Sequence, residues 1–465
     1  QKQMEMKYHK YILISAAVLA LASCRNYLNV QPQGKVIPTT DEEFAAIIDN
    51  HINEIEGGGD EYVIGNMEAI AKFEGFADNL NANIIVGNLA AYSGDYINRR
   101  QSDWRSTFTI VRDCNIVIEN LEDRTTPTAK GTLAAAYAIK GICYYNLLRN
   151  WCEPWDAGNE KEQLGLPVIE RFDIEEMPVR ESLHRSAEYT EELLQKALDC
   201  KNTDERYFFT EYIIKAYMAK LYFWCEDWDR TIEVCNDIIS HSGISLTPIA
   251  EYEDMIQAPT AKKGEVIVRS HINNASELDW YFSYVKTYIA SRPASASLIR
   301  LFGDQPQKDV RYRISFDSKR FNTKVPECRV RMSEIVLMLA EAYCHNSDMA
   351  SSLYWLNELR RSRIEDAKDY TAENLPQVRT DSRITEDALG QPLTPLLQAI
   401  LDERQKELYM EGDRWFELKR NGRPEWWIIN NGLKYTTRKY MYTAPVYKGD
   451  VDLNPDFRQN PGYEY

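Results

Sequence analysis

The sequence predicts a mainly α-helical fold, in which pairs of helices form a scaffold and a loop-rich insert contains short strands. Long segments on both sides of the chain's middle carry apolar residues at three- and four-residue spacing, the period of an amphipathic helix. Several of these segments are joined in pairs by a short polar break. The stretch 245–330 lacks a clean helical period and includes EVIVRS, a short strand candidate.

The amino-terminal residues predict an export signal that ends at a lipidation site. A basic run precedes the apolar stretch 11–22, which is shorter than the roughly 20 apolar residues that a bilayer span needs. It leads into LASC, the lipobox pattern of bacterial lipoproteins, in which the thiol of Cys24 accepts a diacylglycerol. We therefore expect residues 1–23 to be a signal peptide and the lipid on Cys24 to hold the mature chain at a membrane surface.

The composition is typical of a globular protein and argues against several kinds of partner. With 465 residues, 44% of them hydrophobic and 27% charged, the chain has an ordinary globular balance, and 24–465 is expected to form a single domain. A net charge of -16 argues against nucleic acid as a partner, because phosphates require clustered basic residues. The cysteines form no CxxC pair and the histidines no HExxH motif, so neither a zinc site nor a metal-hydrolase centre is expected, and no cofactor is predicted. The many acidic residues leave a calcium site open.

Four regions follow one another in the mature chain. Residues 24–102 form an amino-terminal segment and loop, in which Thr40 should cap a helix that ends at the glycines 57–59. Residues 103–244 should be tetratricopeptide-like helices, 245–330 the insert, and 331–465 a further hairpin with the carboxy-terminal segment. Because loops carry function more often than the helices that support them, the insert is the expected ligand-binding region.

The helical pairs resemble tetratricopeptide units. The first pair is AYMAKLYFW with TIEVCNDII, and the second is EIVLMLAEAYC with SSLYWLNELRRSR. Small residues on one helix opposite bulky ones on the other are typical of this repeat. Since the insert separates the two pairs along the chain, the sequence predicts an interrupted solenoid.

Taken in order, several segments make the chain resemble the SusD/RagB family over most of its length. CRNYLNVQPQG resembles the family's segment after the lipobox, the two pairs above its repeat hairpins, and LDERQKELYMEGDRWFELKRNG its charged carboxy-terminal helix. APVYKGDVDLNPDFRQNPGY resembles the terminal segment, although Tyr447 stands where a proline is usual and Asp450 where a glutamate is usual. The final QNPGY has a turn at Pro461 and an apolar Tyr463, so we expect it to pack on the body.

The resemblance implies a function at the cell surface. It suggests an outer-membrane lipoprotein, anchored through Cys24, that captures glycan and passes it to a SusC-type TonB-dependent transporter. Such a protein is not an enzyme and uses no cofactor. The alternatives are a RagB-like peptide binder, a surface glycoside hydrolase on a helical scaffold, and a repeat adaptor that binds only the transporter.

A charged run near the carboxy terminus contains residues of the types found in glycosidase active sites. Arg404, Glu407, Glu411 and Arg414 fall at three- and four-residue spacing, and paired carboxylates can hydrolyse glycosides. An arginine beside a carboxylate lowers its pKa, however, which is the opposite of what a general acid needs. We therefore predict a structural ion network here and no catalytic residues.

The aromatic residues are the positive signal for a ligand site. The chain has 29 tyrosines and 10 tryptophans, whose flat apolar faces and polar edges suit stacking on a sugar. Most lie in helical patterns and are expected in the core, but two groups lie in polar stretches beside amides and carboxylates. The candidate ligand-binding residues are Tyr92, Tyr96 and Asn98 in the first stretch and Asn274, Asp279, Trp280, Tyr281 and Tyr284 in the second.

Overall fold

The computed structural model describes residues 38, 40–81, 94–121, 124–173, 175–257, 264–270, 292–430 and 433–463, with no side chains for 94–99, 428–430 and 433. Within these described residues, seven helices precede the insert: α1 (Asp41–Gly57), α2 (Met67–Phe76), α3 (Gly94–Asn120), α4 (Pro127–Trp151), α5 (Leu183–Asp199), α6 (Glu211–Trp224) and α7 (Trp228–His241). The insert region holds α8 (Ile249–Gln257), β1 (Val266–Arg269), α9 (Ala296–Arg300), α10 (Val310–Ser315) and β2 (Arg329–Arg331). After it come α11 (Met332–His345), α12 (Met349–Arg361), α13 (Pro395–Glu407), α14 (Arg414–Arg420), β3 (Trp426–Asn430), β4 (Leu433–Thr437) and α15 (Lys448–Leu453). Short 3-10 turns lie at Glu205–Tyr207, Pro306–Lys308 and Lys439–Tyr442.

The mainly helical prediction is confirmed, and local signals define the helix ends. Thr40 caps α1 by accepting from the Glu43 N–H while Glu43 bonds back to the Thr40 N–H, a complete capping box. The helix ends at Gly58, whose φ of 75° is the left-handed conformation that glycine adopts without strain. Both ends lie where the sequence predicted them.

Helix α4 is the centre of the scaffold, packed between α3 and α5 and also touching α1 and α6. It is buried around most of its circumference, and its alanines, among them Ala134, Ala135 and Ala138, are fully buried. At Gly141 a Cβ would lie 2.8 Å from a methyl group of Leu194 on α5, so only glycine allows this close helix approach. The small residues therefore set the helix spacing in the core.

The two predicted hairpins are both present, and the solenoid is interrupted as predicted. Helix α6 packs on α7, and α11 packs on α12. Helix α7 also packs directly on α11, although the whole insert lies between them in the chain. The insert thus projects from a continuous stack of helices.

Several boundaries differ from the sequence prediction. Helix α3 begins at Gly94 and not at Asp103, so part of the expected amino-terminal loop is helical. The insert contains the expected short strand, β1, which pairs antiparallel with β2, but its described residues also form three helices. Burial of Tyr252, Ile256 and Ile314 in a small core of their own explains why α8 and α10 are stable, and Leu298 of α9 is buried in a second apolar cluster.

The charged carboxy-terminal run is two helices and not one. Helix α13 ends at Glu407, and α14 begins at Arg414. Between them Met410 has a φ of 60° and Gly412 a φ of 78°, which interrupt the helical backbone. The four charged residues therefore do not share a single helical stripe.

The terminal QNPGY packs on the body, as expected. Asn460 is buried and donates to the carbonyls of Trp151 and Ala444 at 2.8 and 2.7 Å. The Tyr463 hydroxyl donates to the Thr443 carbonyl at 3.0 Å. These bonds join the end of the chain to the central helix α4.

Two further features concern the described residues only. None of the helices there combines the length and the apolar character required to cross a bilayer. The eight cysteines after Cys24 are free thiols, and most are buried among apolar side chains, where burial raises the pKa of Cys143, Cys225 and Cys235.

Candidate ligand-binding site

Two segments that contain candidate ligand-binding residues, 82–93 and 271–291, are attached to the same place in the fold. Leu80 and Ala294 form an isolated antiparallel bridge. Beside it, the Asn81 N–H donates to the Pro293 carbonyl at 2.7 Å and the Ser295 N–H donates to the Asn79 carbonyl at 2.8 Å. Segment 82–93 directly follows one side of this bridge and segment 271–291 directly precedes the other. We name residues 79–81 with 292–295 the stem.

The stem is held by a buried apolar core. Leu80 and Ala294 are buried, and they belong to a cluster with Leu298, Phe302 and Tyr409. Aromatic rings from three chain regions pack there, with the Phe316 ring centroid 5.0 Å from that of Tyr409. Because close-packed apolar groups resist displacement, the place where both segments are attached is fixed relative to the scaffold.

Asn79 connects the stem to two helices through its side chain. Its Nδ2 donates to Glu74 on α2 at 3.0 Å, and its Oδ1 accepts from Gln405 on α13 at 2.9 Å. Glu74 in turn accepts from the Met410 N–H at 3.0 Å. Burial raises the pKa of Glu74 to about 7, although both hydrogen bonds favour its ionised form. A buried amide with both ends hydrogen-bonded fixes orientation, so Asn79 connects the stem to α2 and α13.

The other end of segment 271–291 is also anchored. Ser270 follows β1, and its N–H donates to the Cys328 carbonyl at 3.3 Å. The preceding side chain, Arg269, is buried and donates from Nε to Glu327 at 2.8 Å. Glu327 also pairs with Arg329 on β2 at 3.0 Å. Segment 271–291 is therefore attached to ordered structure at both ends.

A charged pocket lies between α2, α3, α4 and α6. Lys72 contacts Glu61 and donates to Asp103 at 2.9 Å, while Arg100 donates to Asp103 at 2.7 Å. The Arg100 guanidinium also lies 4.7 Å from the Trp151 ring centroid. The cavity measures about 100 Å³, below the range of roughly 300–1,000 Å³ usual for small-molecule sites. It is too small for a sugar, and its ion pairs instead fix the first turns of α3, which follows segment 82–93.

The charged run considered for catalysis is a buried ion network. Glu407 is fully buried and accepts from Arg331 at 2.7 Å, Arg363 at 3.0 Å and Arg311 at 3.2 Å. Burial alone would raise the pKa of Glu407, but the three guanidinium groups outweigh it and hold the pKa well below its usual range. Glu407 is thus a permanent anion without access to solvent, which does not suit a general acid.

The structural interpretation of this run is confirmed, but its partners differ from those expected. Arg404 pairs with Asp413 at 2.9 Å, and Arg414 pairs with Asp78 at 2.8 Å. The guanidinium groups around Glu407 come instead from α10, β2 and the residues after α12. Sequence spacing cannot reveal pairs between residues so far apart. Among the described residues, no group of three His, Cys, Asp or Glu side chains could hold a metal ion.

The structure constrains the predicted site residues only in part. Seven of the predicted residues lie outside the described residues: Cys24, Tyr92, Asn274, Asp279, Trp280, Tyr281 and Tyr284. Tyr96 and Asn98 lie in α3 and not in a loop, and their side chains are not described. Sequence reasoning missed the stem, because its residues carry no motif and meet only through the fold.

Comparisons with known proteins agree with this architecture. Residues 302–463 match the model of the SusD family. A SusD superfamily protein from Bacteroides thetaiotaomicron has a similar structure, with a TM-score of 0.68 and 17% identity over 91% of this chain and 100% of that one. For a SusD superfamily protein from Bacteroides fragilis the TM-score is 0.70, with 17% identity, 91% coverage of this chain and 100% of that one.

A SusD-like carbohydrate binding protein from Bacteroides vulgatus is similar as well, with a TM-score of 0.66 and 16% identity over 92% of this chain and 100% of that one. A comparison with curated protein sequences gives no match. At these identities the solved structures establish the fold. The family model covers the carboxy-terminal hairpin and the terminal segment, which the sequence analysis had compared with the family. The chain shares its fold with these solved structures, and its residues 302–463 match the SusD family model.

Proposed function

We propose that this protein captures an oligosaccharide between segments 82–93 and 271–291 and delivers it to a SusC-type TonB-dependent transporter. The observation that carries the proposal is the stem, which attaches both aromatic-rich segments to neighbouring points of a rigid scaffold. Two segments that start side by side can hold one ligand from two directions. The description of a structural relative from Bacteroides vulgatus as a carbohydrate binding protein supports the ligand class.

The residue types of these segments suit sugar recognition. Tyr92, Trp280, Tyr281 and Tyr284 offer ring faces for the apolar C–H face of a sugar, and Asn274 and Asp279 offer groups that bond hydroxyls. Tyr96 and Asn98 on the first turns of α3 extend the same set. Ring faces that are covered only when ligand binds supply affinity without being needed for folding.

The proposed location follows from the amino terminus. A lipid on Cys24 would anchor the chain in the outer membrane with the binding face toward the outside, where glycans arrive. Two or more acyl chains bind a bilayer durably, since each buried CH₂ group contributes about 0.8 kcal/mol. Anchored in this way, the protein could bind ligand and transfer it without leaving the transporter.

Calorimetric titration of the mature protein with a polysaccharide panel and with a peptide pool tests the ligand class. We expect heat from at least one glycan and none from peptides. Peptide binding without any glycan response would replace the proposal with a RagB-like peptide binder. Release of reducing sugar by the purified protein would instead support a surface glycoside hydrolase.

The transporter partner calls for a separate experiment. The chain, tagged at its carboxy terminus and lipidated, is extracted from outer membranes in mild detergent and purified. We expect a TonB-dependent transporter to copurify at near equal amount. Recovery of the lipidated protein alone, with glycan binding intact, would reject delivery to a transporter while leaving glycan capture unaffected.

A further inference from the structure

A surface groove lies along α3, apart from the stem, where α15 and the residue before it pack on this helix. Its walls are Arg105, Phe108 and Thr109 from α3 and Tyr447 and Asp450 from the terminal segment. Its volume is about 460 Å³, within the range of roughly 300–1,000 Å³ usual for small-molecule sites. A groove of this size accommodates sugar rings, which the charged pocket does not.

The floor of the groove is preorganised. Trp104 is buried beneath it, and its indole Nε1 donates to Asp450 Oδ2 at 2.8 Å. The Trp104 ring packs against Phe108, with centroids 4.7 Å apart. Among the described residues this is the only hydrogen bond to the Asp450 carboxylate, so the group is held in orientation with acceptor capacity remaining.

Arg105 lies on one wall with its guanidinium over an aromatic ring. The guanidinium carbon is 4.9 Å from the Tyr447 ring centroid, and the side chain is exposed. It forms no ion pair within the described part of the chain, so its N–H groups are available to a ligand. The exposed Thr109 hydroxyl lies one turn further along the helix.

These groups form a set that recognises sugars. An oriented carboxylate accepts from hydroxyls, a guanidinium donates to a hydroxyl or a carboxylate, and aromatic faces cover C–H groups. Tyr447 and Asp450 are also the two positions at which the terminal segment departs from the family pattern. Both departures therefore lie in one groove, next to Arg105.

We propose that this groove is a second sugar-binding site, which binds one or two sugar rings through Arg105, Tyr447 and Asp450. The ligand class is a polyhydroxy ring, either neutral or carrying a carboxylate. Arg105 lies about 16 Å along the helix axis from Gly94, at about 1.5 Å per residue, and none of the residues that line the groove belongs to the stem. It would act as an additional contact for long glycans or as a site for a different sugar.

The test follows the Trp104 indole N–H by NMR in mature protein labelled with ¹⁵N-tryptophan. The probes are glucose, galactose, N-acetylglucosamine and glucuronate at millimolar concentration. We expect at least one probe to shift this resonance, with a stronger glucuronate effect identifying an acidic ligand and a stronger neutral-sugar effect a neutral one. No shift with any of the four sugars would overturn the proposal.

Variants assign the effect to the groove. Arg105→Gln and Asp450→Asn, which keeps an acceptor for Trp104, should each weaken the binding that causes the shift at least tenfold. Arg206→Gln changes an exposed arginine elsewhere and should leave binding unchanged. A shift that persists equally in both groove variants would reject the site, provided that melting temperatures show all variants folded.

A final variant separates this site from the proposed function. Trp280→Ala should abolish glycan capture at segment 271–291 and leave the Trp104 shift intact. Loss of both signals in a folded Trp280→Ala protein would mean that the groove is not independent, and would overturn the proposal. Failure of glycan capture in the wild-type protein while the Trp104 shift remains would reject only the function proposed above.

Discussion

Leu80 and Ala294 face each other in an antiparallel bridge, although one precedes α3 and the other lies within the insert. Both are buried, and the backbone bonds on either side of the bridge are 2.7 and 2.8 Å long. This contact brings two aromatic-rich segments to a shared origin. The affinity of the proposed site should therefore depend on residues that never touch the ligand.

Asn79→Ala should test this dependence. Removing the amide takes the Asn79 hydrogen bonds from the buried groups of Glu74, which keeps only the Met410 N–H, and of Gln405, and this should cost about 1–3 kcal/mol of unfolding free energy. Glycan affinity should fall as well, because the stem loses its connection to α2 and α13. Urea unfolding and calorimetric titration measure the two effects. Asn120→Ala, at an exposed position on α3, is the control, and equal behaviour of both variants would contradict the role of the stem.

Trp280→Ala should weaken glycan binding much more than folding. A stacking residue at the centre of a site commonly contributes about 2 kcal/mol or more, which corresponds to roughly thirtyfold in affinity. If Trp280 is a core residue instead, the truncation should cost about 3–5 kcal/mol of stability. Thermal melting and titration on the same variant separate the two outcomes. Trp427→Ala provides a matched control, because Trp427 is 55% exposed on the β3–β4 hairpin, far from both segments in sequence.

Glu407→Gln should destabilise the protein strongly. The variant leaves Arg311, Arg331 and Arg363 buried around a neutral amide, and breaking a buried pair costs about 3–5 kcal/mol. Glu365→Gln, which removes an exposed partner of Arg313, should cost less than about 1 kcal/mol. Chemical unfolding measures both. A small effect of Glu407→Gln would show that the network is not needed for stability.

Acid should destabilise the protein through buried carboxylates. Burial would raise the pKa of Glu403, but Lys406, Arg311 and Arg360 outweigh it and lower the pKa to about 2, from a usual value of 4.5. Because the folded-state pKa is lower than the unfolded one, the ionised group stabilises the fold above pH 4.5, and this contribution is lost as the pH falls toward 2. Melting temperature against pH should show a steep fall there, less steep in Glu403→Gln. Identical slopes for both proteins would reject this assignment.

Cys24→Ala should release the protein from membranes. If acylation provides the anchor, the variant should move from the membrane fraction to the soluble fraction after export, with ligand binding unchanged. Fractionation followed by immunoblotting measures the distribution. Full retention in the membrane fraction would mean that another surface of the protein binds the membrane or a membrane partner.

Much of the scaffold could be predicted from the sequence because its signals are local. The capping box at Thr40 and the apolar period of α6 and α11 each depend on residues within a few positions of one another. The sequence did not predict the break between α13 and α14, because the charged pattern continues past Met410 and Gly412, where the helical backbone is interrupted. A period in polar residues does not show where helical hydrogen bonding stops.

The site was less predictable for a physical reason. Aromatic residues in polar stretches identified the candidate segments, but the stem that joins them rests on apolar and amide residues with no distinctive pattern. Likewise, Arg105, Tyr447 and Asp450 come together only because the terminal segment packs back on α3. Contacts between positions hundreds of residues apart depend on the whole fold, and a single sequence does not encode them in any local window.

The direct packing of α7 on α11 makes the intervening region exchangeable in principle. A chimaera could receive the corresponding region of a protein with the same fold without altering the helical stack that supports it. The buried ion network limits where such an exchange can be made, because Glu265 and Arg311 of the insert pair with Arg363 and Glu407 outside it. A transplanted region would need residues that pair with the charged residues of the scaffold. New ligand specificities should therefore arise by exchange of the whole region more readily than by exchange of single strands or helices.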